Sequence, residues 1–122
     1  LAAMLMPGGR LLNHGIARLR SQPPGPFSER YVFPDGDPLP LPRVAAALER
    51  AGFELQHIEG FRSDYAETLR HWAARLDENL DRARELAGEE RVRVWRLYLR
   101  AARNGFETGF TSIFQIRAKL PA

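Results

Sequence analysis

The sequence has 122 residues, enough for one domain with a modest hydrophobic core. It contains no cysteine, which excludes disulfides, cysteine nucleophiles and cysteine-based metal sites within it. The formal net charge is +3, from 18 basic and 15 acidic residues, and basic and aromatic residues do not interleave as in nucleic-acid-binding segments. We therefore expect no nucleic-acid partner. The composition is ordinary for a globular protein that folds in water, and it fits a cytoplasmic location.

The amino-terminal residues read as the end of one element and the start of another. Leu1 to Met6 are almost all apolar and have the character of a helix's last turns, so we expect this helix to begin upstream in a longer protein. The P-G-G-R run that begins at Pro7 predicts a turn, because proline interrupts a helix and glycine permits positive φ. Residues 11–17 predict a short, buried strand that contains His14 and Ile16.

The segment 21–42 contains seven of the nine prolines of the chain and is predicted to be a long irregular loop. Phe27, Tyr31, Val32 and Phe33 lie in its middle, and such apolar residues argue against disorder. A loop of this kind can cover a substrate site as a lid.

A helix and a strand follow this segment. Pro42 to Ala51 is predicted to be a helix, with proline near its start and a glycine beyond its end. Phe53 to Phe61 alternates as a strand, with Phe53, Leu55 and His57 on one side.

The last third of the sequence predicts two helices and a strand. A long helix begins at Ser63 or Asp64, with Glu67 placed for a capping box, and continues to Gly88. A second helix runs from Glu89 to Arg103 and ends at the following Asn-Gly pair. A final strand covers residues 111–120. The fold class is therefore α/β: the closing half of an open sheet of about three strands, with a helical insertion at residues 64–104 before the last strand.

Two polar side chains are candidates for chemistry. In open α/β sheets, ligands bind beyond the carboxyl ends of parallel strands. We expect His14 and Ile16 at that end of the first strand, and Tyr65 at the head of the long helix that follows the second strand. An imidazole, a phenol and the free N–H groups of a helix start can hold a small oxyanion or move a proton. A histidine at a strand end is more often structural, and a tyrosine at a helix start is more often a packed aromatic.

One segment resembles a broad class of enzymes, and four further segments, in order along the chain, resemble one family within it. Residues 6–12, M-P-G-G-R-L-L, resemble the L-x-P-G-G-x-L turn of class I methyltransferases. Residues 11–16, L-L-N-H-G-I, resemble the L-L-x-H-x-I strand of cyclopropane-fatty-acyl-phospholipid and mycolic acid cyclopropane synthases. Residues 27–40 resemble their F-x-x-K-Y-I-F-P-x-G-x-L-P loop, and residues 64–72, D-Y-A-E-T-L-R-H-W, resemble their H-Y-x-x-T-L-x-x-W helix start. Trp95 to Leu99, then Phe106 and Gln115, resemble the end of these proteins.

The resemblance covers nearly the whole chain, with a few departures. Asp64 stands where many members have His, Arg30 stands where Lys is usual, and Asn13 and Gly15 vary around the strand histidine. The implied fold is the carboxy-terminal part of a Rossmann-like class I methyltransferase domain, with a final antiparallel strand. The implied location is the cytoplasm, with peripheral membrane contact.

The resemblance also implies a reaction and its cofactors. Members transfer a methyl group from S-adenosylmethionine to the cis double bond of an unsaturated acyl chain on a lipid or phospholipid, and a proton loss then closes a cyclopropane ring. A bicarbonate ion is thought to accept that proton. In this sequence the matching bicarbonate-holding positions are His14, Ile16 and Tyr65, while a further Cys and Glu and most of the S-adenosylmethionine site lie upstream.

Aromatic residues are the candidates for the acyl chain. Tyr31, Phe33 and Trp72 can line an apolar slot, although plain packing explains them equally well. No phosphate-binding loop or zinc spacing is present. Two alternatives to cyclopropanation remain: the same fold with methyl branching or a hydroxylated product as its output, and a non-catalytic lipid-binding remnant. We expect residues 1–122 to be inactive alone.

Overall fold

The computed structural model describes residues 1–19 and 25–122. In these residues a 3-10 turn at Ala2–Met4 precedes three strands and five α-helices. The strands are β1 (Arg10–Arg18), β2 (Glu54–Gly60) and β3 (Thr111–Lys119). The helices are α1 (Pro26–Tyr31), α2 (Leu41–Arg50), α3 (Arg62–Glu78), α4 (Leu80–Ala87) and α5 (Glu89–Glu107). The predicted α/β class with a helical insertion before the last strand is confirmed.

The described residues form two compact units. The sheet unit comprises residues 1–19, 38–62 and 111–122, and it contains the three strands and α2. The helical unit comprises residues 25–37 and 63–110. It contains α1, α3, α4 and α5, except that Arg62, the first residue of α3, belongs to the sheet unit.

The sheet has the strand order β1-β3-β2, and β3 is antiparallel to both neighbours. The first two strands therefore run parallel to each other, with the last strand between them. Ile116 and Ala118 of β3 form the core of this unit with Leu48 of α2 and Phe53, which precedes β2. Leu11 and Leu55 on the flanking strands, with other partly buried apolar residues, pack against this core. The amphipathic stripe of α2 thus covers one face of the sheet.

The prediction for the faces of β2 was wrong at its centre. The pairing of Leu55 with Ala118 is followed by the pairing of His57 with Arg117, so Gln56 is the extra residue of a β-bulge. The bulge shifts the alternation by one position, so that Ile58, opposite Ile116, shares a face with Leu55, and His57 points to the other face. The expected burial of the strands was also wrong. Most of β2 is exposed, and β1 is exposed at every second residue as far as Ile16.

The turn before β1 agrees with the predicted Pro-Gly-Gly geometry. Gly8 has φ +75°, and the Gly9 N–H donates to the Met6 carbonyl at 2.8 Å. A Cβ at Gly9 would lie 2.8 Å from that same carbonyl oxygen, which no side chain tolerates. The Leu120 N–H also donates to the Gly9 carbonyl at 2.9 Å, so the turn fixes where β1 meets β3.

Four helix boundaries differ from the predictions. The proline-rich segment contains the short helix α1, and Pro23 and Pro24 within it lie outside the described residues. Helix α2 begins at Leu41, one residue earlier than predicted. The predicted long helix is two helices that break at Asn79, whose side-chain amide donates to the Arg75 carbonyl at 2.8 Å. Helix α5 continues through the Asn-Gly pair to Glu107, because Phe106 is buried. Gly109, with φ +75°, follows the end of the helix.

The predicted capping box at α3 was wrong. The helix begins at Arg62, so Asp64 lies inside the first turn. Glu67 pairs instead with Arg70 and His71, one turn ahead on the same helix. Those two partners lower the pKa of Glu67, chiefly through the Arg70 hydrogen bond.

Asp77 connects α3 to α5 in the helical unit. Its carboxylate accepts a hydrogen bond from Arg96 Nε at 2.8 Å and another from Arg100. The hydrogen bond from Arg100 is the largest cause of a lowered Asp77 pKa, and the bond from Arg96 adds to it. The carboxylate is therefore better stabilised in the folded protein than in the unfolded chain.

We expect Asp77→Asn to lower the melting temperature (Tm) at pH 7. A lowered folded-state pKa means that the stabilisation is complete above the ordinary aspartate pKa of about 4 and is lost as the pH falls through the lower folded value. Thermal melts of wild type and variant between pH 7 and pH 2 should therefore differ by a constant Tm above about pH 5 and converge at the acid end. Glu78→Gln, which changes the neighbouring exposed carboxylate, is the matched control. Equal Tm values for Asp77→Asn and wild type at pH 7 would contradict this role.

Candidate functional site

His14 and Ile16 lie on the same exposed face of β1. His14 is opposite Gln115 of β3 and Ile16 is opposite Ile113. The prediction that His14 ends its strand was wrong, since it is the fifth of nine residues. The strand continues because Arg18 donates its backbone N–H to the Leu39 carbonyl at 3.3 Å and its Nε to the Pro38 carbonyl at 2.8 Å.

The register also fixes the direction of the Ile16 backbone N–H. In an antiparallel pair, alternate residues direct their N–H and C=O groups at the partner strand. Gly9 accepts from Leu120, so the odd-numbered residues of β1 face β3. Arg18 donates instead to Leu39, so the even-numbered residues face the opposite edge. The Ile16 N–H therefore points to the edge of β1 that β3 does not occupy, and the His14 imidazole stands on the exposed face of the same strand.

Tyr65 is the fourth residue of α3, in the turn whose backbone N–H groups have no partner within the helix. Its ring packs against Phe106 of α5, with centroids 4.8 Å apart, and edge-on against Trp72 at 6.0 Å. Burial raises the pKa of the Tyr65 phenol above its ordinary value of 10.0. The phenol is therefore neutral at pH 7 and available as a hydrogen-bond donor.

A second aromatic group surrounds Tyr98 of α5. The rings of Phe33, Trp95 and Tyr98 meet edge to face, with centroids 5.3 to 6.3 Å apart. Burial raises the pKa of Tyr98, and the nearby Tyr65 phenol raises it further. Both phenols are therefore neutral at pH 7, and Tyr65 lies near enough to Tyr98 to act on its ionisation. The sequence motif and the helical spacing of Trp95 and Tyr98 marked these residues only as packing groups.

A tight turn holds Phe33 in this group. The Gly36 N–H donates to the Phe33 carbonyl at 3.0 Å, and Asp35 between them has φ +62°. Proline at the second position and positive φ at the third define a type II turn. A Cβ at Gly36 would lie 2.7 Å from the Phe33 Cβ, so glycine is required there.

Tyr31 belongs to a different neighbourhood. Its ring packs on Phe27, with centroids 5.6 Å apart, and the Arg30 guanidinium lies 5.2 Å from its centroid. Of the three predicted substrate residues, the structure thus places Phe33 with Tyr98, Trp72 with Tyr65, and Tyr31 with Phe27. All three keep large exposed fractions, 48% for Phe33, 43% for Trp72 and 49% for Tyr31.

Two kinds of feature are absent from the described residues. No group of three or more histidine, aspartate or glutamate side chains is arranged to hold a metal ion. Among the helices in residues 1–19 and 25–122, none has the length and apolar character needed to cross a membrane.

Comparison with known proteins identifies the class and then the family. The fold matches the cyclopropane synthase MmaA2 from Mycobacterium tuberculosis with a TM-score of 0.88 and 26% identity, over 97% of this chain and 46% of that one. It matches mycolic acid cyclopropane synthase CmaA1, in a complex with SAH and CTAB, with a TM-score of 0.86 and 25% identity, over 96% of this chain and 46% of that one. These matches place the chain in the class of α/β methyltransferase folds.

The family follows from the sequence comparisons. Residues 1–116 match the family described as mycolic acid cyclopropane synthetase, and the chain belongs to this family of S-adenosylmethionine-dependent lipid methyltransferases. A probable fatty acid methyltransferase of Pseudomonas putida is 38% identical over 120 residues, which are 93% of this chain and 30% of the relative. The chain therefore spans less than half the length of the proteins it matches.

We expect Tyr65→Phe to lower the pKa of Tyr98 towards its ordinary value. The variant removes the Tyr65 phenolate, which opposes ionisation of Tyr98 at high pH, while burial still keeps the Tyr98 pKa above 10.0. NMR titration of tyrosines labelled with ¹³C at Cζ measures each phenol separately. Tyr31→Phe is the matched control, because Tyr31 belongs to the other neighbourhood and its loss should leave the Tyr98 titration unchanged. An unchanged Tyr98 pKa in Tyr65→Phe would mean that the two phenols do not interact.

Proposed function

We propose that the protein containing these residues transfers a methyl group to the cis double bond of an unsaturated acyl chain and closes a cyclopropane ring. Membership of the lipid methyltransferase family supports methyl transfer from S-adenosylmethionine. The observation that carries the proposal is the outward Ile16 N–H on the strand whose exposed face bears the His14 imidazole. The resemblance assigns most of the S-adenosylmethionine site upstream, so no residue of this chain is assigned to that cofactor.

His14, Ile16 and Tyr65 are proposed to hold a small oxyanion. The donors fit such a group, because a backbone N–H and a neutral phenol donate without carrying a charge of their own. The His14 imidazole provides one further donor or acceptor according to its tautomer. A bound bicarbonate would supply the base that accepts a proton from the newly transferred methyl group. These residues would orient the anion, which then accepts the proton in their place.

Phe33, Trp72 and Tyr31 are proposed to contact the acyl chain. Each leaves a large aromatic surface exposed, and exposed apolar surface of this kind marks binding sites for apolar ligands. Aromatic faces also stabilise positive charge that develops on a bound substrate. A lipid substrate implies peripheral contact with a membrane, and the net charge of +3 favours anionic headgroups. A cytoplasmic location is part of the same proposal.

Methyl branching is the second candidate, and one observation favours it. The Pseudomonas putida relative is named a probable fatty acid methyltransferase and is more similar in sequence than the cyclopropane synthases MmaA2 and CmaA1. Branching and ring formation share the methyl transfer and differ in the step that follows it. A non-catalytic lipid-binding protein is the third possibility, and it predicts no product at all.

We expect His14→Ala and Tyr65→Phe to lower product yield by about tenfold to a thousandfold, because each removes a donor aimed at the proposed anion. The assay uses the complete natural polypeptide, S-adenosylmethionine and vesicles of unsaturated phospholipid. Mass spectrometry should show one added CH₂ per reacted alkene, and NMR of the product lipid distinguishes a cyclopropane from a branched chain. His71→Ala, an exposed histidine paired with Glu67, is the matched control. Full turnover in both test variants would refute the assigned roles.

We expect Ile16→Pro to lower the yield far more than Ile16→Val, because proline removes the backbone N–H and valine retains it. Proline is tolerated where the N–H points away from the neighbouring strand, and the preceding Gly15 accepts the restricted backbone. Circular dichroism checks that both variants fold. Equal yields in the two variants would exclude a role for the Ile16 N–H, whatever the fate of the side chain.

A further inference from the structure

A hollow of about 330 Å³ lies on the sheet unit, and His14 is not among the residues that line it. It is lined by Arg10, Leu11, Leu12, Gln56, Arg117 and Ala118, and we call it the Arg10–Arg117 hollow. Arg10 is four residues before His14 on β1, which corresponds to about 13 Å along an extended strand. Arg10 is therefore distant from His14, whereas Arg117 is a diagonal neighbour of His14 on the same face, because His14 pairs with Gln115.

The register explains why two guanidinium groups meet there. Leu12 pairs with Arg117 across β1 and β3, so Arg10 is the diagonal neighbour of Arg117 on the same face. Side chains in this relation have Cβ atoms about 7 Å apart, within reach of two long arginines. The bulge at Gln56 turns an amide donor to the same hollow. Three donor side chains thus line the hollow together with the exposed Leu12, while the side chains of Leu11 and Ala118 belong to the core on the other face.

The charges around the hollow are not balanced by carboxylates. Arg10 is directly opposite Lys119, and like charges in this position repel each other. Lys119 has Glu54 on its other side, and Glu59 is bonded to His57. In the part of the chain that the structure describes, neither Arg10 nor Arg117 has a carboxylate within ion-pair distance. Both guanidinium groups are exposed and keep their donors available.

We propose that the Arg10–Arg117 hollow binds a phosphate group. Two planar guanidinium forks and an amide can donate to several oxygens at once, and a tetrahedral phosphate presents more acceptors than a carboxylate does. A negative ligand also relieves the repulsion between Arg10 and Lys119. The phosphate comes either from a lipid headgroup or from a free phosphate ester. The site does not depend on the proposed methyl transfer, so phosphate binding by a catalytically inactive protein would still support it.

The test measures binding of inorganic phosphate to the complete natural polypeptide by isothermal titration calorimetry at low ionic strength. We expect saturable binding by wild type and at least tenfold weaker binding for each of Arg10→Gln and Arg117→Gln, because each loses a charge-assisted donor pair. Arg50→Gln, an exposed arginine on α2 of the same unit, is the matched control and should bind as wild type does. Absence of saturable binding, or equal affinity in all variants, would overturn the proposal.

Lysine variants and vesicle binding provide two further measurements. Arg10→Lys and Arg117→Lys keep the charge and lose the bidentate geometry, so they should bind with intermediate affinity even if the glutamine variants fold poorly. Co-sedimentation with phosphatidylcholine vesicles, with and without phosphatidylglycerol, identifies the source of the phosphate. Capture by phosphatidylglycerol that requires both arginines assigns a lipid headgroup. Phosphate binding without such capture assigns a free phosphate ester.

Discussion

The position of β3 between β1 and β2 is the constraint on which the sheet unit depends. This strand comes last in the sequence, yet it provides the hydrogen-bond partner for both of the others. Its register therefore decides which side chains are neighbours across all three strands. A shift of one residue would move every side chain of β3 to the other face, and the buried Ile116 and Ala118 make such a shift costly.

The same register arranges the open face of the sheet in polar rows. His14, Gln115 and Glu59 form one row across the three strands, and Arg10, Lys119 and Glu54 form another. One end of this face carries the exposed imidazole with the outward backbone N–H of Ile16. The other end carries the two arginines of the hollow. Neutral donors suit an anion that takes part in proton transfer, whereas fixed cations suit a phosphate that only has to be held.

The helical unit is organised by polar and aromatic contacts between α3 and α5. Asp77 accepts from two arginines of α5, and Tyr65 packs on Phe106 of the same helix. These contacts bring the phenols of Tyr65 and Tyr98 close enough to affect each other's ionisation. The type II turn at residues 33–36 adds Phe33 to this group. Tyr65, a proposed site residue, therefore influences the ionisation of Tyr98, whose helical spacing in the sequence is that of a packing residue.

The fold class, the family and most of the element order could be predicted from the sequence, because hydrophobic periodicity, proline and glycine signals and an extended motif are all local properties. Helix α1 and the break between α3 and α4 were missed. The same local reasoning predicted a capping box at Asp64, a helix end at the Asn-Gly pair and a regular strand through Gln56. Tertiary structure decided otherwise, since burial of Phe106 outweighs the helix-ending preference and a β-bulge accommodates the antiparallel partner. Sequence resemblance named His14 and Ile16, but only the pairing with β3 decided that the imidazole lies on the exposed face and that the N–H points away from β3. The convergence of Arg10, Arg117 and Gln56 likewise depends on strands that are distant in sequence, and no local pattern could have predicted it.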